Sequence, residues 1–160
     1  MKKLLLIITL LLAALGAAAQ GFEFRGVPLN NTTTEAVGKG LVGKGFVRTD
    51  YKGHTFYRGT FRGKSAFVLI GPSDNGNFKG MTVTITGDIV EMTNYISDLS
   101  EDFNAKYDDW DFDMEFEDNT VNVYYGKAKS NGLADVVMLS YGLDDDSLEY
   151  KLDITYAVDM

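Results

Sequence analysis

The sequence predicts an α+β protein of two tandem units, each with one helix packed on a four-stranded antiparallel meander. Three observations predict it. Apolar residues recur at three- and four-residue steps in two places, near residues 34–44 and 88–104, and nearly everywhere else they alternate with polar ones. The alternating runs are separated by short stretches rich in Gly, Asn, Asp and Lys, which allow only tight reversals and therefore antiparallel neighbours. The order of one helix followed by four strands occurs twice, over 20–87 and 88–160, as one compact domain.

The first nineteen residues stand outside this plan. Lys2 and Lys3 precede an unbroken apolar run from Leu4 to Leu15, and small residues at Ala17 and Ala19 suit a peptidase. Residues 1–19 read as a secretory signal cut after Ala19, placing the mature chain in the periplasm or outside the cell. A retained membrane helix would need about 20 apolar residues, so no membrane span is expected in the mature chain.

From there the elements follow in order. Phe22 to Leu29 forms an extended lead-in. Thr32-Thr33-Thr34-Glu35 matches a capping box, so a helix should start here and run to about Lys44 with Val37 and Leu41 inward. Gly38, Gly40 and Gly43 each weaken such a helix by up to about 1 kcal/mol relative to alanine, so packing must hold it. Four strands follow, Phe46 to Tyr51, Thr55 to Phe61, Ser65 to Ile70 and Phe78 to Ile85, with turns at Lys52-Gly53-His54, Arg62-Gly63-Lys64 and Pro72 to Asn77. Asp88 opens the second helix, whose apolar stripe is Ile89, Met92, Ile96, Leu99 and Phe103. The last four strands are Asp109 to Glu117, Thr120 to Lys127, Ala134 to Tyr141 and Leu148 to Val158. One helix covers one face of a sheet, so each unit leaves its other face bare. Paired edge to edge, the units would share one continuous curved sheet.

Composition removes several functions. There is no cysteine and a single histidine, His54. Thiol chemistry is absent, a zinc site lacks its usual ligands, no acyl anchor can form on cysteine, and no motif calls for a cofactor. Without the leader the chain holds 13 basic and 23 acidic residues, a balance that argues against a nucleic-acid partner. The charge is also lopsided, about +5 over 20–87 and about −15 over 88–160.

The tandem helix-plus-four-strand order resembles the beta-lactamase inhibitor protein-like fold. The phrases Phe24-Arg25-Gly26-Val27-Pro28-Leu29, Lys44-Gly45-Phe46 and Tyr57-Arg58-Gly59-Thr60-Phe61 are also similar to a group of small exported proteins of Gram-negative bacteria. The resemblance implies an exported protein whose concave sheet faces a protein partner. No inhibitory residue carries over, and the inhibitor's paired cysteines are missing here.

The most unusual stretch is DDWDFDMEFED, residues 108–118. In a strand, Trp110, Phe112, Met114 and Phe116 share one face, and Asp109, Asp111, Asp113, Glu115 and Glu117 share the other. Carboxylates two residues apart on a strand stand in a row roughly 7 Å apart, which is not a calcium cage. Counted from Asp109, the calcium-loop pattern would also need a glycine where Met114 stands. In water each neighbouring pair repels by only about 0.6 kcal/mol, so a solvated face is affordable. A basic partner would relieve the repulsion and speed association.

Other motifs are weaker. Gly63-Lys64-Ser65 lacks the earlier glycine of a phosphate loop and belongs to a hairpin turn. His54 has no serine elbow behind it. An acid pair such as Asp111 with Glu149 or Asp153 would be the glycosidase alternative, and Asp146-Ser147-Leu148 resembles a short acceptor for O-linked sugar.

The expectation is therefore a non-enzymatic exported protein that recognises another envelope or extracellular protein through its open sheet face. Phe67, Leu69, Tyr124 and Tyr141 would be the anchors, and Asp111, Asp113 and Glu115 the steering charges. A hydrolase using His54 or an acid pair is the second reading, and self-association through opposite charges of the halves is the third.

Overall fold

The computed structural model describes residues 22–160 apart from 53, 74, 118 and 145–148. The expected leader and Asp146-Ser147-Leu148 lie outside the described residues. Among the described residues the protein is α+β, with two helices, an eight-stranded sheet and a two-stranded one.

Phe22 to Leu29 folds into a small ribbon rather than a plain extended lead-in. β1 (Glu23–Phe24) and β2 (Val27–Pro28) pair across Arg25 and Gly26, both at positive φ. Helix α1 (Thr34–Gly43) starts one residue later than the capping-box reading requires. Thr33, not Thr32, is the cap, and its hydroxyl accepts from the Ala36 amide. Glu35 turns outward to pair with Lys39 at 2.6 Å. The reason is tertiary: the Phe78 amide donates to the Thr32 carbonyl and the Thr34 amide to Gly76, which ties the Thr32–Thr34 backbone to the 76–78 loop. Two glycines of α1 face close neighbours, Gly38 against the Tyr57 hydroxyl and Gly40 against Val27. The absence of a Cβ there is what lets α1 lie down on its support.

The first four strands of the main sheet are β3 (Val47–Tyr51), β4 (His54–Phe61), β5 (Lys64–Ile70) and β6 (Gly80–Gly87). β6 begins two residues after the expected Phe78, which is buried in the preceding loop beside the isolated Thr33–Asn77 bridge. His54 opens β4 instead of lying in the turn. Arg62 and Gly63 both take positive φ, the mark of a tight hairpin, as expected for Gly-Lys-Ser in a reversal.

Helix α2 (Ile89–Lys106) is capped by the Asp88 carboxylate, which accepts from the amides of Val90 and Glu91. Met92, Ile96, Leu99 and Phe103 are buried as expected; Ile89 is not, being 59% exposed in the first turn. Then come β7 (Asp111–Glu117), β8 (Thr120–Ala128), β9 (Ala134–Leu143) and β10 (Tyr150–Ala157).

The strands lie in the order β3-β4-β5-β6-β10-β9-β8-β7, every neighbour antiparallel. β6 meets β10 along eight paired residues, from Gly87 opposite Tyr150 to Gly80 opposite Ala157. The sheet is thus continuous, with β3 and β7 as its edges among the described strands.

Directly paired residues share a face, so the register sorts the side chains. One row reads Arg48, Tyr57, Val68, Val83, Ile154, Leu139, Val123 and Met114. Its central members, Val68, Val83, Ile154 and Leu139, are fully buried. Gly38 of α1 abuts Tyr57 in this row, and Asn104 of α2 accepts from the hydroxyl of Tyr125, two residues beyond Val123. Both helices therefore lie on one side. Phe24 joins them there, its ring among those of Phe46, Phe61 and Tyr156, and a single apolar core runs across the β6–β10 seam.

Candidate functional site

The other side of the sheet has a different chemistry. Its two central rows read Thr49, Phe56, Leu69, Thr82, Thr155, Met138, Tyr124, Asp113 and Val47, Arg58, Phe67, Thr84, Asp153, Ser140, Asn122, Glu115. No described helix or strand lies over these rows, and most of their members are partly or largely exposed. This is a helix-backed antiparallel sheet with one free face, the class of architecture that offers a broad surface rather than a deep pocket.

Three zones divide that face. At the β4–β5 end, Phe67 and Leu69 are 43% and 41% exposed, and the Arg58 guanidinium lies 5.0 Å from the centre of the Phe67 ring. This gives a cationic, aromatic end. The middle is a hydroxyl field: Thr82 and Thr155 share a hydrogen bond at 3.1 Å, and Thr84 donates to Asp153 at 2.5 Å. Lys151 completes it with an ion pair to Asp153 at 2.9 Å. The far end is acidic, with Asp111, Asp113, Glu115 and Glu117 in line along β7 and the Tyr124 hydroxyl donating to Glu115 at 3.3 Å. Desolvation first, and then the neighbouring Glu115, Glu117 and Asp113, raise the Tyr124 phenol above its ordinary value.

The expected anchors and charges thus divide. Phe67, Leu69 and Tyr124 belong to the free face, together with Asp111, Asp113 and Glu115. Tyr141 does not. It pairs with Val121 and Leu152, so it points to the helical side and packs on the core beside α2. The expectation failed because β9 carries apolar residues on both faces, and only pairing reveals which set is inward. Nor does the basic half relieve the acidic strand. β7 is the edge opposite β3, while Arg62 and Lys64 pair instead with Asp102 and Glu91 of α2.

Among the described residues, the acid pairs of the enzyme alternative are not brought together. Asp111 is on β7 and Asp153 on β10, three strand spacings or roughly 14 Å apart across the sheet and further along it, since Asp153 aligns with Glu115; this is too far for a carboxyl pair working on one bond. Glu149 precedes β10 and is separated from Asp111 by the same intervening strands. Instead, Asp153 is held by Thr84 and Lys151. His54 is exposed, with its ring 6.2 Å from that of Phe56. It lines a cleft of about 910 Å³ with Arg48, Tyr57, Leu69 and Pro72. Among the described residues no carboxylate is hydrogen-bonded to its ring, and no three His, Asp or Glu side chains gather as a metal site.

Two features escaped sequence reasoning. Arg58 stacks on Phe67 because β4 and β5 place them in register, a fact that only pairing supplies. Phe112, Met114 and Phe116 face the helical side yet are 54%, 43% and 74% exposed; their alternation predicts a face, but not that the face lies beyond the cover of α2.

No protein-family model matches the chain, and no curated protein or solved structure is detectably similar to it. Among the described residues no helix is long and apolar enough to cross a membrane.

Proposed function

We propose that this chain is an exported, non-enzymatic binding protein that recognises another envelope or extracellular protein through the free face of its sheet. The observation that carries this reading is the unbroken set of rows across eight strands, aromatic and cationic at one end and acidic at the other, with nothing described above it. A surface of mixed apolar and charged groups on a sheet backed by a continuous core is preorganised, so docking costs little conformational entropy. Phe67 and Leu69 supply desolvatable area, and Asp113 and Glu115 supply a field that steers a basic partner.

The element order, a helix and four strands followed by a helix and four strands, supports reading the chain as two tandem units of the beta-lactamase inhibitor protein-like fold, joined at β6 and β10. Export rests on the leader read in residues 1–19.

Photo-crosslinking tests the proposal. With benzoylphenylalanine at Phe67 or Tyr124, cells producing the full chain should yield a discrete adduct in the envelope or medium fraction. The same probe at Val90, exposed on α2, should yield none. Adducts at Val90 alone, or a chain that stays in the cytoplasm, would overturn it.

A further inference from the structure

β7 is an edge whose outer backbone meets no described strand. In an antiparallel ladder, alternate residues turn both backbone groups toward the partner strand and the others turn them away. The Met114 amide is taken up by the Asp113 carboxylate at 2.8 Å, which marks Met114 as one of the outward residues. Phe112 and Phe116, two residues to either side, share its phase. So the free edge offers the amides and carbonyls of Phe112, Met114 and Phe116, with Asp113 guarding the central donor.

The side chains add a second code. On the helical side the same three residues are the exposed apolar stripe; on the free face stand Asp111, Asp113, Glu115 and Glu117. Soluble proteins blunt such edges because an extended, half-apolar strand is a template for another chain. Here the four acids forbid one occupant. A second copy pairing β7 to β7 would set acid opposite acid on one face, which is destabilising. The complementary occupant is the reverse of β7 in charge.

We propose that the outer edge of β7 accepts an extended segment of a partner protein in which basic and apolar residues alternate, adding a strand to the sheet. The incoming backbone pairs with Phe112, Met114 and Phe116 and displaces Asp113 from the Met114 amide. Its apolar residues cover the three exposed side chains, and its lysines or arginines face Asp111, Asp113 and Glu115. The mode uses the edge, the apolar stripe on the helical side and the acids at the rim of the free face, but neither Phe67 nor Leu69, and those two residues tell it apart from recognition by the free face.

The test uses the chain from Gln20 and a blocked peptide of about eight alternating lysines and valines, the shortest run that spans the strand. The peptide should slow amide exchange at Phe112, Met114 and Phe116 and bind more weakly as salt rises, whereas its glutamate–valine counterpart should do neither. The double variant Asp113→Lys with Glu115→Lys should reverse that preference. Met114→Pro removes an outward donor without touching the β7–β8 ladder, and should weaken lysine–valine binding by about tenfold or more. If that variant does not fold, the charge swap alone decides. Phe67→Ala with Leu69→Ala should leave peptide binding unchanged, which separates this mode from recognition by the free face. Lysine–valine peptide that protects none of the three amides, or that binds the charge-swapped variant equally well, overturns the proposal. In that case the acids serve only to keep the edge unpaired.

Discussion

At the scale of single residues, small groups decide where large ones can lie. Gly59 sits under the Phe46 ring, and a Cβ there would come within 2.5 Å of it. Gly59→Ala should displace Phe46 from the core and cost about 1–3 kcal/mol, measured as a lower denaturant midpoint with unchanged slope. The buried phenols set the alkaline limit. Tyr95 donates to the Phe61 carbonyl at 3.0 Å, and burial lifts its pKa from 10.0 to about 12. Tyr156 and Tyr107 are also pushed up, again chiefly by burial. A phenol whose folded pKa exceeds its unfolded one contributes stability that is whole below about pH 10 and is lost as pH climbs through the folded value. Ultraviolet titration should therefore show a set of tyrosines ionising late, together with loss of near-ultraviolet dichroism. Nine tyrosines titrating together near pH 10 in an intact fold would contradict this.

At the scale of elements, the helix starts are the clearest case of a local code read nearly right. The motif Thr32 to Glu35 announces a helix start, but the backbone bonds of Thr32 and Thr34 to the 76–78 loop make Thr33 the cap. Thr33→Ala should cost about 1 kcal/mol, and Thr32→Ala and Glu35→Ala should each cost clearly less; equal losses would restore the capping box. Asp88 satisfies two amides of α2, so Asp88→Ala should cost at least as much as Thr33→Ala in the same melting assay. Period-two alternation located all eight strands of the main sheet to within a few residues, because short Gly- and Asn-rich separators leave no other way to connect them. It missed the β1–β2 ribbon, whose two-residue strands are too short to show a period.

At the scale of the whole molecule, the β6–β10 seam carries a single apolar core through a chain whose charge is divided, so it should unfold as one body. Leu152 and Ile154 are fully buried beside Ile85 and Val83. Ile154→Ala should cost about 2–5 kcal/mol and lower the far-ultraviolet dichroism and Trp110 fluorescence midpoints together. Trp110 reports on the far end, packed between Phe22 and Tyr107. Separate midpoints for the two signals would mean that the halves unfold independently. On the free face, reversing Asp113 and Glu115 should slow association with a true partner and flatten its salt dependence. Stopped-flow rates across salt concentrations would check it, and unchanged rates would take these acids out of recognition.

The sequence by itself determined the α+β class, the order of the two helices and the eight strands of the main sheet, and the presence of an acidic, alternating strand, because periodicity and turn chemistry are local properties of the chain. It also determined which residues alternate with which, so Phe67, Leu69 and Tyr124 could be placed opposite the core. Only the tertiary structure decided that β6 joins β10, that Tyr141 turns to the helices, and that α2 stops short of Phe112, Met114 and Phe116. Those outcomes depend on pairing between residues far apart in the chain, and a strand with apolar groups on both faces carries no local mark of which face a distant helix will cover.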